Sequence, residues 1–359
     1  MLADLDQVET VRSMIKTNPS IELTSKFSPF GPGEAMAELH THLGGSVPVH
    51  VMWEVAHAQG ISLPMKDYWE FHELIRVRDE GVQGLGGLDD IYHWSELIQS
   101  SPAAVERSVH TMIGGAYRSQ MITCLEIRFN PAKRNRGGEW DLDHVILAAC
   151  RAVDRASLEY SKVRAGLVLM MDRTFPKHLN EVIVEKALRW RDRGVIGIDL
   201  GGPRPEPGRW PYEDLAEVCA AARAGGLGVT IHCGEEGDPE EIGTVIESLR
   251  PARLGHGVLA ANRPDLLTLI RERNVALEIC PTSNLRTKVF GTVAEMAGAV
   301  RRIADAGVQL TVSTDGPVMM GTKLRDEHGL LVSSGALSVE EVRRANQLAH
   351  EVSFCPARK

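Results

Sequence analysis

Eight short apolar runs constrain this chain more than any other feature. They fall near residues 36–40, 122–128, 164–171, 194–200, 228–232, 252–256, 275–280 and 309–314. Runs of this length, rich in Val, Ile and Leu, read as buried strands. Most gaps after the second run carry amphipathic helical patterns, clearest at 180–193, 213–224, 263–273 and 293–306. Strands that alternate with helices imply parallel βαβ units. Eight such units predict an α/β chain closed into a (β/α)8 TIM barrel, with a doubly wound open sheet as the alternative. One long gap, 43–121, breaks the rhythm directly after the first strand and holds Tyr68, Trp69, Phe71, Tyr92 and Trp94. A helical insertion at a strand's C-terminal end is where a barrel builds a lid. The domain reading is a turn-rich lead-in at 1–34, a barrel at 35–345 and a C-terminal tail at 346–359.

Charge and cysteine usage narrow the function classes. Lys and Arg total 40 against 48 Asp and Glu, a net charge of −8. That balance argues against nucleic acid as a partner, since such binders are normally basic. No apolar run approaches the ~18 residues of a membrane span. The first residues carry acids and no apolar core before a small-residue cleavage site, so a secretory leader is not expected. The six cysteines never form C-x-x-C. They are expected to be reduced, in a cytoplasmic protein. A homo-oligomer is left open.

Polar residues concentrate where the predicted strands end. His40 and His42 close the first, Glu126 and Arg128 the second, Asp199 the fourth, His232 the fifth, His256 the sixth and Asp315 the eighth. In a closed barrel these converge on the C-terminal face, where barrel active sites are built. Two histidines spaced by two on an extended strand point the same way and can meet one ion. Imidazoles with a carboxylate suit Zn²⁺ better than Ca²⁺ or Mg²⁺. Glu235, three residues after His232, places a carboxylate beside such an ion without being needed as a ligand. It could give or take a proton during attack by water.

The segments AELHTHLGGSV, LEIRFNP, GIDLGG, TIHCGEEG, RLGHGV, LEICPTSN and STDGP follow one another across roughly residues 35–320. In these the chain resembles the adenosine/AMP deaminase family of the amidohydrolase superfamily. The resemblance implies a (β/α)8 barrel and one zinc per chain held by His40, His42, His232 and Asp315. It implies that Glu235 protonates the ring nitrogen beside the carbon under attack. His256 would orient and help deprotonate the water, and Gly202 would offer its backbone N–H to the heterocycle. Asp315 would also accept a proton. The implied partner is a small aminoheterocycle that loses its exocyclic amine as ammonia.

Two departures bear on the substrate. The family usually carries an acid where this chain has Gly44, and a second acid where it has Gly316. Both substrate-facing carboxylates are missing, and the two glycines are expected to leave room for a larger or differently shaped group. The run Pro203-Arg204-Pro205-Glu206-Pro207 also departs from the family pattern. The resemblance therefore points to a nucleoside or modified adenosine derivative, with adenosine a poor substrate. Arg128 and Arg173 are expected to brace the barrel mouth through ion pairs. Lys133, Arg134 and Arg136, with Arg204 and Arg209, read as solvated loop charge or as an anchor for an anionic tail. Two rivals remain. One is a metal-dependent hydrolase of amides, lactones or phosphate esters, although no lysine ends strand four to bridge two metals. The other is a non-catalytic binding protein on a retired barrel, which the intact polar set argues against.

Overall fold

The computed structural model describes residues 27–356 apart from 79, 136–140 and 204–209. Each apolar run forms a strand: β1 Met36–His42, β2 Ile122–Phe129, β3 Arg164–Asp172, β4 Val195–Gly201, β5 Gly228–Cys233, β6 Arg253–His256, β7 Ala276–Ile279 and β8 Leu310–Val312. All neighbours pair in parallel and in sequence order. Past β8 the chain returns to β1. The His42 amide donates to the Asp315 carbonyl at 2.7 Å, and the Asp315 amide donates to the His40 carbonyl at 2.9 Å. A sheet whose first strand bonds to the segment leaving its last is a (β/α)8 barrel, and the open-sheet alternative falls.

The helices between strands form for local reasons. Thr292 and Glu295 make a reciprocal capping box at the start of the helix Val293–Asp305, and Ser338 and Glu341 do the same for Val339–Val352. Each box satisfies two amide donors that a helix start leaves orphaned. The apolar faces of these helices, such as Met296, Val300 and Ile303, are buried against the strands.

The insertion contains four helices: α1 Val49–Ala58, α2 Tyr68–Leu74, α3 Asp89–Ile98 and α4 Pro102–Gln120. Ser101 caps α4, with Pro102 preset for its first turn. Phe71 is wholly buried, Trp69 is exposed, and among the five aromatics noted above only Tyr92 lines the central cavity. The insertion thus covers the mouth mainly through α3 and the turn before it.

Within the stretch 346–359, the described residues 346–356 pack onto the barrel. Its first residues complete the helix Val339–Val352, and the Asn346 side chain accepts from the Ala37 amide at 3.0 Å. Phe354 then plugs the bottom of the barrel. Its ring lies 3.6 Å from the Arg253 guanidinium carbon, and its amide donates to Glu126 at 2.6 Å. A β-carbon at Gly228 would sit 2.1 Å from that ring, so only glycine leaves room for the plug. Of the lead-in, residues 1–26 lie outside the described residues; Phe30 is buried, and its carbonyl accepts from Arg325 at 2.9 Å.

Candidate active site

The cavity at the C-terminal ends of the strands is built from the polar residues that close them. β1 brings His40 and His42 to one side, as two-residue spacing requires. β5 ends in His232, and Asp315 follows β8. One nitrogen or oxygen from each of these four lies within 4.8 Å of the other three. His42 Nε2 is 3.0 Å from His232 Nε2 and 3.1 Å from Asp315 Oδ1; His40 Nε2 is 3.6 Å from the same oxygen.

The opposite ring nitrogens stand beside carboxylates. Glu278 Oε2 lies 2.7 Å from His40 Nδ1, and Asp199 Oδ2 lies 2.9 Å from His232 Nδ1. At His40 the carboxylate keeps the proton on Nδ1 and turns the Nε2 lone pair inward, the arrangement a metal-bound histidine needs; at His232 the Asp199 carboxylate is a close neighbour outside hydrogen-bond geometry. Arg128, fully buried, ties the two carboxylates together at 2.8 Å each and donates to the Leu39 carbonyl at 2.7 Å. Arg173 reaches the carbonyls of His232 and Gly202 and the Tyr212 hydroxyl. Both arginines brace the site through these contacts and also line the cavity.

The electrostatics fit a cation. Burial, together with the other histidines, pushes His232 down to about 4 and holds His42 and His256 below the usual imidazole value. These three rings are therefore neutral near pH 7 and free to ligate. Burial pushes Asp315 up, but the facing His40 and His42 rings outweigh it and keep the carboxylate ionised. His40 Nε2 is fully buried and has no hydrogen-bond partner among the described residues. An orphaned ring nitrogen between neutral imidazoles and a carboxylate is satisfied by a metal ion of zinc's preferences.

Two further groups share this floor. His256 Nε2 stands 3.4 Å from Glu235 Oε2, while His256 Nδ1 meets the Asn284 amide at 3.1 Å. Glu235 Oε1 is buried and unpartnered among the described residues. Burial and the nearby Asp315 push Glu235 up to about 8, so in the metal-free protein it holds a proton at neutral pH. Ser283 donates to Asp315 Oδ2 at 2.6 Å. His256 and Asp315 both have φ of 64°, a left-handed conformation uncommon in residues other than glycine. Such backbone clusters at functional sites, where the surrounding structure holds it in place.

A buried cluster of three histidines and an aspartate, a protonated glutamate and a facing histidine puts candidate metal ligands and a proton donor in one cavity, groups that metal-assisted hydrolysis can use. Residues 35–359 match the family described as adenosine deaminase. The chain belongs to that family. It is 27% identical over 304 residues to an adenosine deaminase of Vibrio vulnificus, covering 85% of this chain and 89% of the relative. It is 32% identical over 326 residues to an adenine deaminase of Albidiferax ferrireducens, covering 89% of this chain and 88% of the relative. In fold it is similar to the crystal structure of adenine deaminase from Arthrobacter aurescens, with TM-score 0.78, 22% identity, and coverage of 91% of this chain and 95% of that one. Relatives that act on a nucleoside and on a free base flank this deaminase-family chain, so family membership alone does not choose between them.

The substrate-side expectations fare unevenly. Gly44 and Gly202 line the cavity; Gly316 does not. A β-carbon on Gly316 would meet Met319 Cε at 3.0 Å and Gly45 Cα at 3.3 Å, so that glycine serves packing. Nor does Gly44 leave space. A β-carbon there would meet Ser95 Oγ at 3.0 Å and both Arg134 and Tyr92 at 3.4 Å. The expected extra room is already filled by α3 and by Arg134. At Gly202, with φ of 87°, a β-carbon would press on the Asp172 carboxylate at 2.9 Å. Lys133 Nζ pairs with Asp172 at 2.6 Å, and Arg134 is buried in the cavity wall. Arg136, Arg204, Arg209 and most of the altered Pro203–Pro207 loop lie outside the described residues. Sequence reasoning passed over Glu278, Ser283 and Asn284 as site residues, though all three sit inside the segment LEICPTSN. It also passed over Ser95 and Glu96, which carry no motif at all.

Proposed function

We propose that this deaminase-family chain is a zinc-dependent aminohydrolase acting on a nucleoside or modified adenosine derivative, with adenosine itself a poor substrate. The observation that carries the reading is the shared cavity floor, where four metal-ligating side chains, Glu235 and His256 all converge. His40, His42, His232 and Asp315 would hold one zinc, which when bound supplies a water acidic enough to attack at neutral pH. Glu235 holds a proton at Oε and delivers it to the ring nitrogen beside the carbon under attack. His256 orients the water and takes part in its deprotonation. Gly202 offers its N–H to the heterocycle. The floor is buried and several of its groups are held by neighbours, so little reorganisation is needed as charge develops.

The case against adenosine rests on the absent carboxylate at Gly44, which lines the cavity. A hydrogen bond to a charged group is worth about 1.5–3 kcal/mol. The test is metal analysis followed by an ammonia-release screen of purine, pyrimidine and pteridine amines. One zinc per chain and a substrate preferred over adenosine are expected. A protein that binds no metal, or that turns adenosine over near ~10⁶ M⁻¹s⁻¹ in kcat/KM, would overturn the reading.

A further inference from the structure

The cavity wall above Gly44 is polar where packing alone would make it apolar. Helix α3 turns Tyr92, Ser95, Glu96 and Gln99 toward the barrel mouth, positions that share one helical face. Ser95 and Gln99 are buried and held by neighbours: Ser95 Oγ donates to the Tyr92 carbonyl at 3.2 Å, and Gln99 Nε2 donates to the Leu43 carbonyl at 3.5 Å. Glu96 is different. It is 8% exposed and lines the cavity. Among the described residues its carboxylate has no hydrogen-bond or ion-pair partner. Its oxygens open onto the cavity and meet no donor among the described residues. Such a group is explained where a ligand supplies the donors.

We infer that Glu96 is a specificity-determining residue that accepts hydrogen bonds from a neutral, hydroxyl-bearing substituent of the substrate, a sugar. This rests on the nucleoside reading above and names the group that recognises the sugar. Position follows from α3. Glu96 stands one turn from Tyr92, whose ring packs edge-on to that of the metal-ligand candidate His42 with 6.2 Å between centroids. The wall is therefore next to the reacting end of the cavity but not part of it. Charge narrows the ligand class. A phosphate or carboxylate would be repelled by Glu96. An ammonium would be repelled by Arg134, which reaches the Asn130 carbonyl at 3.2 Å and Gln99 Oε1 at 3.5 Å beside Gly44. A polyol meets both residues without repulsion, its hydroxyls donating to Glu96 and accepting from Arg134.

The test compares the wild type with Glu96→Gln and Glu96→Asp, using ammonia release from adenosine, adenine and AMP, and calorimetric binding of inosine and hypoxanthine. Gln keeps the shape but accepts less strongly; Asp keeps the charge at shorter reach. The nucleoside-to-base ratio of kcat/KM should fall about 10- to 150-fold in Glu96→Gln, with partial recovery in Glu96→Asp. Inosine should weaken by a similar factor relative to hypoxanthine. An unchanged ratio with unchanged inosine affinity overturns the inference, as does a wild type that prefers AMP to adenosine. If none of the three amines is turned over but inosine binding still depends on Glu96, the sugar site stands and turnover of these three substrates is excluded. If ammonia is released and Glu96 is indifferent, the reverse holds. Thermal melting of each variant separates misfolding from either result.

Discussion

The floor of the cavity and its outer wall are made differently. The floor residues leave the ends of barrel strands, and four of them are held by buried neighbours: Glu278 beside His40, Asp199 beside His232, Ser283 on Asp315, Asn284 on His256. The wall comes from α3, the turn of Leu43–Gly45 and the loop after β2, and its groups are less tightly held. Glu96 has no partner among the described residues, whereas Lys133 and Arg134 are engaged by local contacts. Under the proposed function, the braced floor would set the chemistry and the wall the substrate. Strand ends braced by buried ion pairs position atoms tightly, as reaction geometry demands. An inserted helix can change its side chains without disturbing the barrel.

Breaking the floor should therefore cost most. Asp315→Ala should abolish turnover and reduce bound metal from one ion per chain to a small fraction, read by elemental analysis; full metal occupancy in this variant would remove Asp315 from the ligand set. Glu235→Gln should keep its metal and lose roughly 10²–10⁴-fold in kcat, the usual contribution of general acid–base catalysis. Asp199→Asn tests the support beneath the floor. It leaves the His232 ring without its anionic partner and should lower metal affinity or activity about 10–100-fold, measured by chelator competition.

Smaller effects sharpen the contrast. Gly316→Asp presses a side chain onto Met319 and the Gly45 backbone, and overpacking of this kind costs about 1–3 kcal/mol. A lowered melting temperature with no gain in adenosine turnover would confirm that Gly316 is a packing residue. Glu235 also carries a pH signature in the metal-free protein. Its folded value is pushed from 4.5 to about 8, so unfolding favours its ionisation. Its contribution to stability is full below pH 4.5 and is lost as pH rises toward 8. Metal-free Glu235→Gln should therefore melt higher than wild type at pH 8.5, by a margin that shrinks at pH 6. A constant margin would show that Glu235 is not held protonated.

Much of this was legible in the chain itself. Strand-length apolar runs separated by amphipathic stretches specify parallel βαβ units, because each pattern can bury its apolar face in only one way. The strand-end histidines and Asp315 were visible for the same reason: alternation fixes which side a residue faces, and barrel closure fixes where the ends meet. Other features depended on distances that no periodicity encodes. Phe354 under Gly228, Met319 against Gly316, and Ser95 and Arg134 around Gly44 are contacts between segments far apart in sequence. Glu96 reads as one more acid on an amphipathic helix until the insertion folds over the mouth. Local pattern determined the barrel and its catalytic floor; only tertiary packing decided what stands opposite that floor, because the wall is made by segments whose meeting no local rule requires.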